Sequence, residues 1–147
     1  MAEITETITV NRPSTQVWSL VADFGAIAEW APNVAHSSLT TEQSTGIGAV
    51  RRVQVGRNAL LEEVTEWEPH AQLAYSIRGF PPVVRSAINT WRLSAVDDGT
   101  EVSLTSNVDA GGRPPQQLVA RIIGRVMAKA SREMLGGLKD QLEGSDR

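Results

Sequence analysis

After Pro115 the chain meets no further proline, and from there to about Leu142 it reads as one helix, roughly 40 Å long at about 1.5 Å per residue. Leu118, Ile122, Val126, Ala130, Met134, Leu138 and Leu142 recur every four positions. Val119, Ile123, Met127 and Leu135 widen that stripe, while Arg121, Arg125, Lys129, Arg132 and Lys139 form a wet face. A helix this long needs an apolar partner along its length, and the upstream sequence must supply it.

What lies upstream reads as a sheet. Residues 3–10 alternate, with Ile4, Ile8 and Val10 between Glu and Thr, as in a half-buried strand. Pro13 suits the first turn of a helix whose apolar face is Val17, Trp18, Leu20 and Val21, ended by Asp23-Phe24-Gly25. A second short helix covers Ala26 to Trp30, stopped by Pro32. From about residue 34 to 109 the pattern is short alternating runs separated by turn signals, the mark of an antiparallel sheet. The predicted class is α+β, in the order β-α-α-β6-α: a seven-stranded curved antiparallel sheet wrapped around the long C-terminal helix.

Three turns serve as rulers for register, because directly opposed residues share a face. A II′ turn at Gly56-Arg57 opposes Val53 with Leu60, Arg51 with Glu62 and Ala49 with Val64. A turn at Pro69-His70 opposes Val64 with Tyr75 and Glu62 with Ile77. A turn at Asp98-Gly99 opposes Leu93 with Leu104, Trp91 with Ser106 and Asn89 with Val108. All three put an apolar face inward that also holds Arg51, Glu62, Tyr75, Asn89 and Ser106. An apolar wall with a few convergent polar groups is what a small-molecule cavity looks like. The competing reading is a filled core, with Arg51 and Glu62 as a cross-strand ion pair and Asn89 bonded to backbone. Trp18, Trp30 and Trp67 read as core, Trp91 points into the concave face, and Met127 and Met134 either line a cavity or pack plainly. Strands ending at Gly56, Gly79 and Asp109 run the same way, so their loops share one end. Phe80, Pro81 and Arg113 would stand there at a cavity mouth.

Composition narrows the classes. The 147 residues fit one domain spanning 1–147, with 41% hydrophobic and 21% charged residues. A net charge of −3 argues against nucleic-acid binding. With no cysteine, disulfides and thiolate chemistry are excluded, and His36 and His70 alone make no metal site. No phosphate loop or nucleophile elbow is present, so no cofactor is expected. The N-terminus is unlike a signal peptide, and no apolar run reaches the roughly 18 residues a membrane span needs. These features predict a cytoplasmic protein without stable membrane insertion.

The segments Pro13-Ser14-Thr15-Gln16-Val17-Trp18-Ser19-Leu20-Val21-Ala22-Asp23-Phe24, Trp30-Ala31-Pro32, Gly46-Ile47-Gly48-Ala49-Val50-Arg51 and Glu62-Glu63-Val64-Thr65-Glu66-Trp67-Glu68-Pro69 carry a resemblance. Together with Asp98-Gly99-Thr100-Glu101-Val102 and the last helix, they resemble the polyketide cyclase/dehydrase and START-like superfamily, also called SRPBCC or Bet v 1-like. The resemblance covers nearly the whole chain. It implies a helix-grip fold, an elongated cavity between sheet and helix, and inward Arg51 and Glu62. The pocket lysine of the plant-receptor branch has no counterpart in Ala35-His36-Ser37-Ser38, which argues against hormone recognition of that kind.

The resulting expectation is binding or transport of a small hydrophobic ligand: a lipid, an aromatic or a polyketide-like metabolite. The residues expected to meet it are Arg51, Val53, Glu62, Val64, Tyr75 and Ile77, with Asn89, Trp91, Leu104, Ser106, Met127 and Met134. The alternative is a cyclase/dehydratase using Arg51, Glu62, Tyr75 and Asn89, with Glu62 and Arg51 the best catalytic candidates. A protein partner, met by the loop carrying Phe80, is the third reading.

Overall fold

The computed structural model describes residues 2–144. Strand β1 (Ala2–Val10) leads to helix α1 (Ser14–Ala22), a 3-10 segment (Phe24–Glu29), then β2 (His36–Leu39) and β3 (Val50–Val55). There follow β4 (Asn58–Glu68), β5 (Gln72–Arg78), β6 (Ser86–Val96), β7 (Gly99–Asp109) and helix α2 (Pro114–Glu143). The strands form one antiparallel sheet in the order β1-β7-β6-β5-β4-β3-β2. Strands β1 and β2 thus lie at opposite edges, and α1 with the 3-10 segment carries the chain between them. The remaining strands walk back as a meander until β7 pairs with β1.

Each hairpin shows which local rule set its register. At Gly56 φ is +59°, as the first central residue of a II′ turn requires, and Arg51 opposes Glu62 and Val53 opposes Leu60 as the sequence predicts. Between β4 and β5 two departures cancel. The loop holds residues 69–71, with His70 at φ 66°, one residue more than the predicted turn. A bulge between Val64 and Glu66 absorbs the extra residue, so Val64 still opposes Tyr75 and Glu62 still opposes Ile77.

The β6–β7 hairpin corrects the sequence reading. Its central residues are Asp97 and Asp98, with Val96 opposite Gly99, so Leu93 meets Val102, Trp91 meets Leu104 and Asn89 meets Ser106. Asp97 takes a positive φ, 40°. Gly99 is needed for a different reason: a Cβ there would run into the Val10 carbonyl oxygen at the end of β1. The error is two residues, so every side chain keeps the predicted face.

Helix α2 lies against β1 and β7. Two of its glycines mark the closest approaches. A methyl at Gly124 would come within 2.7 Å of Ile4 Cδ1, and one at Gly137 would collide with the Trp30 carbonyl oxygen. Such glycines each cost helix propensity of about 1 kcal/mol relative to alanine, which the packing offsets. The buried face is Ala120, Gly124, Met127, Ala128, Ser131, Met134, Leu135 and Leu138.

In the first half of α2 Val119 and Ile123 pack against the core as predicted, but the four-residue repeat itself reaches it only in the second half. Leu118, Ile122 and Val126 are 57%, 53% and 65% exposed. Steps of four overshoot a 3.6-residue turn by about 40° each, so a strict four-residue repeat winds around the helix instead of staying on one side. Its early members face water and Leu138 reaches the core.

This difference is measurable by chemical denaturation. Leu138 is fully buried, so Leu138→Ala should cost about 2–5 kcal/mol. Ile122→Gln, at an exposed position of the same repeat, should change stability by no more than about 0.5 kcal/mol.

Candidate functional site: a cavity between sheet and helix

Because α2 rests on the β1–β7 side, a gap opens between it and the other strands. A cavity of about 280 Å³ fills this gap, just under the range of about 300–1,000 Å³ usual for ligand pockets. Its wall takes Val53 and Val55 from β3, Asn58, Leu60 and Glu62 from β4, Ile77 from β5 and Asn89 from β6. Val126, Met127, Ala130 and Met134 come from α2, and Ile27, Asn33 and Val34 from the segment that follows α1. Gly79, Phe80 and Pro81 of the β5–β6 loop complete it.

Of the residues expected from the sequence, Val53, Glu62, Ile77, Asn89, Met127, Met134, Phe80 and Pro81 border the cavity. Arg51, Val64, Tyr75, Trp91, Leu104 and Ser106 are buried, but they do not border it. Face alternation identifies which side of the sheet a residue is on, whereas α1, the 3-10 segment and α2 decide whether it meets space or another side chain. Arg113 is also off the wall: it precedes the first turn of α2, its backbone N–H donating to Gln116 Oε1 at 3.0 Å.

Several wall residues went unpredicted. Val55 and Asn58 sit on the same face as Val53 and Leu60, so extending the hairpin ruler would have found them. Asn33 and Val34 lie in an irregular segment, where no periodicity points anywhere.

Beside the cavity, Arg51 is 2% exposed. Its Nε donates to Glu62 Oε1 at 2.7 Å and its Nη1 to the Phe24 carbonyl oxygen at 3.0 Å. The guanidinium carbon stands 3.8 Å from the Phe24 ring centroid and 4.7 Å from that of Tyr75, which places the cation against two aromatic rings. Every face of this group is occupied by protein.

A second buried network runs along the row Tyr75, Asn89 and Ser106, neighbours on adjacent strands. Asn89 Nδ2 and Trp91 Nε1 both donate to Tyr75 Oη at 3.3 Å, and Ser106 Oγ donates to Asn89 Oδ1 at 2.7 Å. Burial, reinforced by the Glu62 charge, pushes the Tyr75 phenol above its ordinary value, against the opposing pull of Arg51 and of the bonds from Asn89 and Trp91. Among the described residues no group of His, Cys, Asp or Glu could hold a metal, and no helix is long and apolar enough to cross a membrane.

A sheet that curls around a long helix and leaves a mainly apolar cavity between them defines a helix-grip ligand-cavity protein. The sequence matches, over residues 1–143, the family described as polyketide cyclase/dehydrase and lipid transport, and the chain belongs to that family. No curated protein matches it in sequence. Among solved structures it is similar to the Zhui aromatase/cyclase from a Streptomyces species, at 21% identity and a TM-score of 0.81, covering 99% of this chain and 96% of that one. A protein from Thermobifida fusca matches at 26% identity and 0.79, covering 97% and 94%. A START superfamily protein from Mycobacterium smegmatis matches at 14% and 0.74, covering 97% of each chain. Likenesses this remote in sequence establish the fold.

Two outcomes test these networks. Glu62→Leu leaves a buried guanidinium unpaired and should cost about 3–5 kcal/mol, while Arg51→Met combined with Glu62→Leu should recover most of that loss. A double variant as unstable as the single one would show that the pair contributes more than mutual neutralisation. Tyr75 is the chain's single tyrosine, so phenolate absorbance reports it alone. Its pKa is raised in the fold above the value of 10.0 for a free side chain. The neutral form therefore stabilises the fold fully below that value, and this stability is lost as pH rises past it. The phenolate band should appear at higher pH in the folded protein than in the denaturant-unfolded chain. Ionisation near 10.0 in the still-folded protein would refute the buried placement.

Proposed function

We propose that the protein binds a small, largely apolar molecule in the cavity between the sheet and α2. The observation that carries this reading is the wall itself, mostly aliphatic side chains, Met127 and Met134, with Glu62 and a few amides among them. Membership in a family described by polyketide cyclisation and lipid transport supports it. The volume of 280 Å³ corresponds to about nine waters at ~30 Å³ each. A compact aromatic or polyketide-like ring system suits that space better than a long-chain lipid. The contact roles of Arg51, Val64, Tyr75, Trp91, Leu104 and Ser106 become indirect in this proposal: they hold the wall in shape. A cytoplasmic setting belongs to the same proposal.

A cyclase or dehydratase reading has one observation in its favour, since Glu62 is a carboxylate on the cavity wall. It is weakened by the neighbours proposed to act with Glu62. Arg51 and Tyr75 do not border the cavity, and Arg51 is already bonded to Glu62 and Phe24.

A thermal-shift panel of fatty acids, sterols, flavonoids and aromatic polyketides tests the proposal. A ligand at about 100 times its Kd adds roughly 2.7 kcal/mol, a rise of several degrees for a domain of this size. The compact aromatic compounds should give the shift and the sterols should not. Ala130→Phe, which puts a ring into the cavity from α2, should abolish the shift while the protein stays folded. A panel without any shift, or a hit that Ala130→Phe leaves intact, would overturn the proposal.

A further inference from the structure

The exposed members of the cavity wall mark its mouth. They are Asn58 at the β3–β4 hairpin, Gly79 and Pro81 in the β5–β6 loop, and Val126 on α2. From Val126 an apolar line runs along the helix surface through Ile122 to Leu118, all three exposed, toward the end at which α2 begins. Val83, in the same loop as Pro81, is exposed as well. At about 3.6 residues per turn, Lys129 falls within this line. Arg121 and Arg125 lie beside it, on the side away from the cavity.

Charge is divided along the strand direction. Strands β3, β5 and β7 end on the mouth side, and α2 starts there. That side carries Arg57, Arg85 and Arg113 in its loops and Arg121 and Arg125 in the first half of α2. All of these are exposed, and none forms an ion pair among the described residues. From Pro114 to Arg132 the helix has no carboxylate at all. Two carboxylates share this side, Glu3 at the start of β1 and Asp109 at the end of β7, and Asp109 Oδ1 accepts the Gly111 N–H at 2.9 Å. The opposite end holds Glu66, Glu68, Asp97, Asp98, Asp140 and Glu143. Because the whole chain has a net charge of −3, the basic mouth is a local feature and not a consequence of composition.

We propose that the mouth end of the protein docks on an anionic membrane surface. Leu118, Ile122 and Val83 enter the head-group layer, and the arginines around them meet lipid phosphates. Exposed aliphatic side chains flanked by cations on one helix face suit that interface, where apolar burial and attraction to anionic lipid act together. Protein interfaces are richer in aromatic anchors, whereas the exposed apolar side chains here are aliphatic. The proposal rests on the binding reading given above and adds to it the place of exchange. A small apolar molecule partitions into a bilayer, and docking in this orientation sets the opening beside Val126 against it.

Vesicle flotation of the whole chain, with no ligand added, tests this. The protein should float with phosphatidylcholine vesicles containing about one third phosphatidylglycerol and stay behind with phosphatidylcholine alone. Arg121→Glu combined with Arg125→Glu should weaken binding at least about tenfold. Arg92→Glu, the same charge change on β6 toward the other end of the sheet, should leave it within about twofold. Leu118→Gln combined with Ile122→Gln, both exposed and off the cavity wall, should also weaken it about tenfold. Equal binding to both kinds of vesicle, or full binding by the double glutamine variant, would overturn the proposal. So would a chain that ignores vesicles but dimerises in sedimentation, with the dimer lost in that variant, since a second copy then covers this face. A thermal shift with ligand but no flotation overturns the docking and leaves the binding reading intact. Flotation without any ligand shift supports the docking and overturns the binding reading.

Discussion

Arg51 holds a full positive charge where water hardly reaches, and its surroundings are arranged to make that tolerable. An isolated buried guanidinium would be costly by many kcal/mol, so it has to be paired, hydrogen-bonded and stacked. The partners come from separate parts of the chain: Glu62 on β4, the Phe24 carbonyl in the 3-10 segment, and the rings of Phe24 and Tyr75. Meeting these demands fixes the register of β3 against β4. It also pins the 3-10 segment over the sheet, and that segment supplies Ile27 to the cavity wall.

The position of α2 determines where the cavity lies. Gly137 lets the helix pass against the Trp30–Pro32 segment, and Gly124 lets it sit down on β1, at one side of the curved sheet. Exposed ties such as Arg132 Nη1 to Glu6 Oε1 at 2.7 Å and Lys139 Nζ to the Thr9 carbonyl at 2.9 Å lie on the same side, although such contacts contribute little on their own. What remains between α2 and strands β3 to β6 is filled neither by the helix nor by the sheet. The methionines facing this gap, Met127 and Met134, have flexible side chains suited to adjusting around an occupant.

Strand parity was legible in the sequence because it depends only on alternation, which survives errors of two residues. The β6–β7 turn shows this: misplacing it by two positions gave wrong neighbours for Asn89 and Trp91 but the right face for both. At Pro69 the extra loop residue and the bulge after Val64 cancel, so the correct register there rested on two compensating departures, neither visible in the residue pattern. The four-residue repeat of α2 misled because period four and period 3.6 are nearly indistinguishable over two turns and diverge by half a circumference over five. The site was legible only as a face. Arg51 and Tyr75 have the parity of cavity residues, yet Phe24, brought over the sheet by the chain between α1 and β2, covers them. No local pattern encodes that covering.

The pairing of Arg51 with Glu62 also bears on whether this wall does chemistry. A general base must take a proton and later return it, so its charge changes during the cycle. If Glu62 took up a proton, Arg51 would lose its counter-charge inside the core, with only a carbonyl dipole and two ring faces in its place. Hydrogen bonds to a charged group contribute more than those to a neutral one, and the Nε contact at 2.7 Å is of the first kind. The same carboxylate left ionised performs a static task well: it neutralises the guanidinium on one side and presents negative charge to the cavity on the other. The Arg51–Glu62 pair and the Tyr75–Asn89–Ser106 row are bonded within themselves, and what they give the cavity is a wall of fixed shape.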